Sequence, residues 1–533
     1  MRRILPLALL LVTVAASPAR AIEEGALLDS LQYRGFLYFW EQANPANGLI
    51  KDRSTSTSPA SIAAVGFGLS SICVGVDHGW VSRSDAAQRV LTTLNTFWTG
   101  PEDSLATGQI GYRGFFYHFL DMGTATRTWS SELSTIDTAL LFAGILDAKM
   151  YFTDPVDPTE IQIRSLADSI YRRADWNWFC HGAPALYMGW KPETASNGGF
   201  GGFGFWTGYN EAMILYILGL GSPTHPMPTV TWTGWTSSYG STFGTYYGYT
   251  FLACPPLFTH QYSHCWVDFR GKVDAYMQSK GFTYFENSRR ATLAQHAYAI
   301  ANPLSRVGYS DSLWGLTASD VPPPTGYNAR GAPPSMNDDG TITPTAAGGS
   351  IAFAPEVCIP VLRNLYDNWH VIWGRYGFLD AFNLTNVWLD TDFLGIDQGP
   401  FVLMIENYRN NGVWTRFMRN PDIQTGLTRA GFVPFSDAVI EPPPRGAGVV
   451  LAPVSPNPSR GPAILRFLLP EPGRVTLTVM DVGGRQVARV LDGETTAGEH
   501  AVRCDLSALP AGVYHAVLRT GGVVQTTRFV HLR

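Results

Sequence analysis

Apolar residues recur at helical spacing along most of the first 440 positions. The pattern predicts helices over 25–42, 60–76, 84–98, 134–150, 160–173, 210–220, 267–279, 287–301, 355–369, 398–409 and 413–419. Some of these carry a polar outer face. Others, such as 138–145 and 212–220, are apolar nearly all round, which predicts burial on every side. Half-exposed helices alternating with fully buried ones over about 400 residues predict two concentric helical layers, and an (α/α)6 barrel is the economical closure. No fixed repeat period favours an open solenoid. The run 112–120 is strand-like and predicts a hairpin on the rim, and the long Gly/Thr/Tyr-rich loops 223–256 and 320–349 are of the kind that carry function. The pattern changes near position 440. Residues 441–446 read EPPPRG, a stiff, extended linker. After it, 474–480, 513–518 and 525–532 alternate with period two, and DVGGR at 481–485 supplies a Gly-containing hairpin connection. Several short strands in under a hundred residues predict a β-sandwich.

The N-terminus adds a compartment. Arg2 and Arg3 precede an apolar stretch, 4–16, too short to span a bilayer, and Ala19-Arg20-Ala21 forms a small-x-small cleavage site. This predicts a signal peptide over 1–21, export to the periplasm, the cell surface or the medium, and no transmembrane segment. The expected division is then 22–436 for the helical catalytic domain, 437–450 for the linker and 451–533 for the sandwich. The six cysteines (Cys73, Cys180, Cys254, Cys265, Cys358, Cys504) have no CxxC or zinc spacing, and several lie in apolar runs, so buried free thiols are expected at least as readily as disulfides. A net charge of −5 without a basic stripe argues against nucleic acid. Charged residues are only 15% while aromatics reach 13% with 16 Trp, and aromatic faces suit sugar rings.

Cleaving a glycosidic bond takes two carboxyl groups, one to protonate the leaving oxygen and one to activate water or attack the sugar. Asp137, Glu211, Glu356 and Asp397 each stand at the start of a predicted helix. If the inner helices of a barrel run parallel, such acids converge on one rim. The competing reading is that acids satisfy free N–H groups at helix starts, and Ser134-x-x-Asp137 has the form of a capping box. His260 and His264, with Asp268 following, would share a helix face, but the set lacks the glutamate of a zinc hydrolase. Substrate hydrogen bonding or structural pairing is expected there, and no metal. No G-x-S-x-G elbow is present, and the Gly-rich run 198–204 lacks a phosphate-loop lysine, so no cofactor is predicted.

Several longer motifs carry a resemblance: WTGYNEAM at 206–213, LGLGSPTH at 218–225, LFTHQYSHCWVDFR at 257–270, FENSRRAT at 285–292, GLTASD at 315–320 and GIDQGPFVLMIENY at 395–408. In this order they resemble the glycoamylase-like hydrolases, from about Leu28 to Phe432. That family folds as an (α/α)6 barrel, includes the β-1,2-glucanases of glycoside hydrolase family 144, and is similar to a domain of cyclic β-1,2-glucan synthases. The resemblance implies an inverting hydrolase of glucan, most readily β-1,2-glucan. It implies Glu211 as the acid, from its G-Y-x-E setting, and Asp137 as an active-site carboxylate. Asp397 and Asp137 are the candidates for the base, with Glu406 and Glu356 behind them. Trp206, Tyr209, His260, Gln261, His264, Asp268, Arg270, Glu132, Glu356 and Glu406 are the expected substrate-binding residues. The tail, with SPNP at 455–458 and LPAGVY at 509–514, resembles FlgD-like immunoglobulin modules and C-terminal secretion-sorting domains. It implies an immunoglobulin-like sandwich whose partner is secretion or cell-surface machinery. Two other functions fit the same chain: an α-glucan or other glucan hydrolase on this barrel, and a non-catalytic surface protein that binds glycan.

Overall fold

The structure, a computed structural model, describes residues 23–334, 337–435 and 449–532 apart from 453, 455–456, 470–471, 496–497 and 508. The signal-peptide reading, nearly all of the expected linker, and Ser455-Pro456 lie outside the described residues.

The helices that build the barrel and its closure are α1 (Glu24–Glu41), α2 (Ile62–Asp77), α3 (Arg83–Thr99), α4 (Thr135–Tyr151), α5 (Pro158–Arg172), α6 (Met213–Gly221), α7 (Phe258–Trp266), α8 (Tyr284–Ala301), α9 (Pro344–Gly348), α10 (Pro355–Asn368), α11 (Gly395–Asn410), α12 (Gly412–Phe417) and α13 (Pro421–Arg429). An inner ring runs α2, α4, α6, α7, α9, α11 and back to α2; α1, α3, α5, α13, α8 and α10 pack outside it. Composition sorts the two layers. Every residue of α2 from Ile62 to Gly75 and all of α6 are buried, so these helices need apolar or small residues on all sides. On the outer α5 only the stripe Glu160, Ile163, Ala167, Ile170 and Tyr171 is buried. Small residues also set the spacing of the ring. A Cβ on Gly66 would stand 2.2 Å from the Leu140 carbonyl oxygen, and one on Gly144 would stand 2.0 Å from that of Gly66. Thus α2 and α4 meet backbone to backbone.

The starts of the inner helices share one rim. Ala60–Ser61, just before α2, pairs with Phe119–Leu120, and Leu133–Ser134, before α4, pairs with Gly189–Trp190. Thr341–Ile342, before α9, pairs with Phe382–Asn383, and Arg53 bridges Leu394 at the head of α11. The other end of the ring is closed by α12. The Trp414 indole donates to the His264 carbonyl at 2.6 Å, and the buried Arg416 guanidinium grips both oxygens of buried Asp147 at 2.6 and 2.8 Å.

The C-terminal part is all β: β1 (Val450–Leu451), β2 (Ala463–Leu469), β3 (Gly473–Asp481), β4 (Gln486–Thr495), β5 (Gly498–Cys504), β6 (Gly512–Thr520) and β7 (Val523–His531). They form antiparallel sheets β1-β2-β5 and β4-β3-β6-β7. Along β2 the burial alternates strictly, and Leu465 and Phe467 face Leu477, Val479 and Leu518 in a core of their own. The β3–β4 turn closes as its composition predicts, with the Gly483 and Arg485 N–H groups donating to the Asp481 carboxylate.

One predicted helix is misplaced. The run 267–279 holds only a short helix, Ala275–Lys280, whereas Phe258–Trp266, just before it, is the inner helix α7. Its residues are aromatic, His, Ser and Thr rather than strong helix formers. Every position from Thr259 to Trp266 is buried, and tertiary packing decides. All six cysteines are free thiols, five of them buried.

Candidate active site

Two of the sequence-predicted acids reach the shared rim because of how their helices begin. Asp137 lies in the first turn of α4. Ser134 accepts the Asp137 N–H at 3.3 Å, capping α4, and donates its hydroxyl to the Asp137 carboxylate. The other Asp137 oxygen faces His118 Nε2 at 3.5 Å, and His118 Nδ1 meets Glu132 Oε1 at 3.0 Å. Burial pushes the His118 pKa down. The charges of Asp137, Glu132 and Asp52 and the Glu132 hydrogen bond outweigh it and lift it to about 9, so the ring is an imidazolium clamped between two carboxylates. Asp397 occupies the first turn of α11, buried against the Asp380 carboxyl. Burial raises its pKa to about 7, even though a hydrogen bond from Asp380 favours the anion. Asp380 is itself buried and pushed well above the carboxylate range, by burial first and then by Asp397, so the pair holds a proton between them.

Glu211 stands just before α6, on a turn whose geometry WTGYN sets. Gly208 has φ +79° and the Ala212 N–H is taken by Asn210 Oδ1 at 3.0 Å. Glu211 keeps part of its surface open while protein surrounds the rest. Desolvation is the main cause lifting its pKa to about 7; its own backbone N–H opposes this and the Asp137 charge adds to it. Tyr262, on α7, feels the charges of both Asp397 and Glu211. Asp137, Glu211 and Asp397 therefore share one electrostatic environment at the mouth of the ring.

Sequence reasoning missed much of what surrounds them. Arg53 Nη1 bonds Asp320 Oδ2 at 2.7 Å and lies 3.9 Å from Asp392, while Asp392 also accepts from Ser54 at 2.8 Å. Asp320, Asp390 and Asp392 each offer an oxygen within 4.8 Å of the others, the one group among the described residues with the spacing to hold a metal ion. Burial, then Asp320, raises the Asp390 pKa to about 6. The signal was available: Asp380, Asp390, Asp392 and Asp397 crowd into eighteen positions of a chain that is only 15% charged. His118, set between aromatic residues in a strand-like run, was the other clue.

The predicted substrate-binding residues divide. Glu132 is on the rim. The Trp206 indole donates to Thr135 Oγ1 at 2.9 Å, beside the start of α4. Tyr209 packs inward, its ring 4.9 Å from His260 and its hydroxyl 3.4 Å from Ser288. His260 and His264 do share a helix face, both within hydrogen-bond reach of Ser288, but both are fully buried. Desolvation lowers the His260 pKa to about 3, so it is neutral. The Gln261 amide is engaged between α7 and α9, donating to the Ala346 carbonyl and Ser350.

Four of the expected residues lie elsewhere. Asp268 and Arg270 pair with each other beyond the C-terminal end of α7, where Arg270 also stacks 4.3 Å over Trp414 of α12. Glu406 is nine residues past Asp397, about 13 Å further down α11. There it accepts from Gln32 at 2.7 Å and meets His78 Nε2 at 2.9 Å. Glu356 begins α10, an outer helix running the other way, and pairs with Arg289 at 2.6 Å. Asp268, Arg270 and Glu406 lie toward the far end of inner helices, and Glu356 starts an outer helix, whereas a helix start marks the rim only in the inner layer.

With this geometry in place, comparison with known proteins is informative. Residues 204–421 match the family model described as "Putative glucoamylase". A solved structure described as a putative glucoamylase from Bacteroides uniformis is 36% identical, with TM-score 0.71, over 78% of this chain and 99% of that one. The chain belongs to the glucoamylase-like family. An endo-β-1,2-glucanase from Chitinophaga pinensis, solved with sophorotriose and glucose, is 29% identical with TM-score 0.69, over 78% of this chain and 99% of that one. An exo-β-1,2-glucooligosaccharide sophorohydrolase of Parabacteroides distasonis is 32% identical over 456 residues, 78% of this chain, and the chain spans 59% of that relative's length. Outside the glucoamylase-like region, residues 453–531 match the family model described as a secretion system C-terminal sorting domain, which marks the chain for export. No helix among the described residues is long and apolar enough to cross a membrane.

Proposed function

We propose that this glucoamylase-like protein is an exported glycoside hydrolase that cleaves β-1,2-linked glucan with inversion, Glu211 acting as general acid and Asp397 as general base. The observation that carries the reading is the Glu211 carboxyl. It is lifted to about 7 by desolvation, with the Asp137 charge beside it, so it arrives at neutral pH with its proton substantially in place. Asp137, fixed by Ser134 and the His118 imidazolium, then adds its charge to the desolvation that keeps Glu211 protonated. Asp397, whose anion the hydrogen bond from Asp380 favours, takes the proton from the attacking water. The bond from the anomeric carbon to the leaving oxygen breaks as the Glu211 proton reaches that oxygen. Glutamate ends as an anion and Asp397 as an acid, and water or bulk solvent restores both.

The linkage is supported by the relatives named as β-1,2-glucan hydrolases. The sorting module supports delivery to the cell surface or medium through secretion machinery. The test is product analysis on linear β-1,2-, β-1,3- and α-1,4-glucans, with the anomer of the first product followed by polarimetry. β-1,2-glucan should be cleaved, with the opposite anomer released. Glu211→Gln and Asp397→Asn should each abolish turnover, with binding retained in Glu211→Gln. Full activity of Glu211→Gln on natural glucan, or release of the same anomer, would remove this mechanism; cleavage of α-1,4-glucan alone would replace the substrate.

A further inference from the structure

The loop 121–132 joins the Phe119–Leu120 strand to the strand that leads into α4, so it overhangs the acid rim. Its tip breaks two rules of local structure. The Ser131 N–H donates to the Thr128 carbonyl at 3.1 Å, closing a four-residue turn. The two central residues, Trp129 and Ser130, have φ +55° and +50°. Both values positive define the mirror-image turn that asparagine and glycine favour, and a bulky L-residue there is strained. Trp129 is also 67% exposed, the most exposed tryptophan among the described residues. Neither the turn nor the core gains from an indole at this position.

The surroundings hold it there firmly. Arg127, its side chain nearly buried, donates to the Ser131 carbonyl at 2.6 Å and to both Glu193 oxygens, anchoring the base of the turn. The Trp129 ring rests against Phe119 at 5.3 Å between centroids, and Phe119 stacks on His118 at 3.9 Å and 15°. His118 is the imidazolium that touches Asp137 and Glu132. An unbroken aromatic path therefore runs from an open indole face to the carboxylates. Strain kept at an exposed aromatic on the edge of a reaction site is an arrangement that function maintains.

We infer that Trp129 is a stacking platform for a pyranose ring of the glucan chain, at a subsite outside the reacting bond. The inference rests on the proposed glucan hydrolase function and adds a length-dependent binding contact to it. An exposed indole offers a flat apolar face to the C–H side of a sugar, and its rigid backing limits the entropy lost on binding. Only chains long enough to reach the loop gain the contact.

The test compares wild type, Trp129→Asn and Trp129→Tyr in the full chain, with linear β-1,2-glucans graded from trisaccharide to polymer. Asparagine suits the turn, so Trp129→Asn should hold or raise Tm. Its kcat/KM should fall relative to wild type by about tenfold more on the polymer than on the shortest cleaved chain, carried by KM. Trp129→Tyr should recover most of the loss. A fall of equal size at all lengths, or none, overturns the platform, as does a Trp129→Asn whose loss is accompanied by lowered Tm and not rescued by tyrosine. Calorimetric binding of the same chains in the Glu211→Gln background reads the platform without turnover. Wild-type protein that binds these chains but does not cleave them overturns the hydrolase reading alone, and Trp129 is then judged by affinity. Wild-type protein that neither binds nor cleaves them overturns both.

Discussion

Replacing Glu211 by glutamine should stabilise the folded protein, and only at neutral to alkaline pH. In the unfolded chain this carboxyl titrates near 4.5, and in the folded site near 7. Below 4.5 it is protonated in both states and contributes no difference. As pH rises from 4.5 to 7 the unfolded chain releases the proton and the folded protein keeps it, so folding loses stability over that window and stays penalised above it. The separation is worth about 3 kcal/mol at 1.36 kcal/mol per pH unit. Glu211 is partly open to solvent, which screens the charge and brings the figure to about 2 kcal/mol. Glutamine keeps the shape and cannot ionise. Unfolding entropy for a barrel of about 400 residues converts 2 kcal/mol to a Tm shift of about 2 °C. The assay is a matched pair of thermal unfolding series between pH 4.5 and 8.5. The Tm curves should coincide at the acid end and part by about 2 °C at the alkaline end, the variant on top. A constant offset across pH, or a variant less stable at 8.5, would refute the claim that desolvation holds this proton.

The remaining predictions are shorter. Asp137→Asn removes the charge that helps keep Glu211 protonated, so any residual activity should lose its alkaline limb at lower pH than wild type, read from kcat/KM against pH. Asp147→Asn leaves the buried Arg416 guanidinium with only the more distant, half-exposed Asp77 carboxylate at 3.7 Å, and should cost up to about 3–5 kcal/mol in denaturant unfolding. Cutting after residue 441 should leave glucan cleavage intact while abolishing export or surface retention, measured by activity in cell fractions. Dithiothreitol should leave the Tm unchanged, because the six cysteines are free thiols.

The layered helical architecture was legible because burial writes itself into composition. α6 is apolar on all sides and could only be an inner helix, and β3, β6 and β7 alternate as strands of a sandwich do. One helix start was legible too, through Ser134 and Asp137. What could not be read was which helices point toward the same end. Glu356 and Asp397 look alike in sequence, each an acid in a first turn, and only the antiparallel return of outer α10 separates them. Nor does local pattern report that Asp52, His118 and Asp320 come from three loops joined by short ladders across the rim. Those contacts are long-range, with Arg53 to Asp320 spanning 267 positions and Arg53 to Leu394 more, and they belong to topology.

The short helix α12 decides how traffic moves through the molecule. By laying Trp414 and Arg416 across the far ends of α4 and α7, it turns a ring of helices into a cup. A polymer cannot thread such a vessel from one face to the other. Whatever enters over the Trp129 loop must leave by the same doorway, so a departing fragment and an arriving chain compete for one opening. Turnover on long chains should then be governed by how fast the cup empties, and short products should inhibit by occupying it.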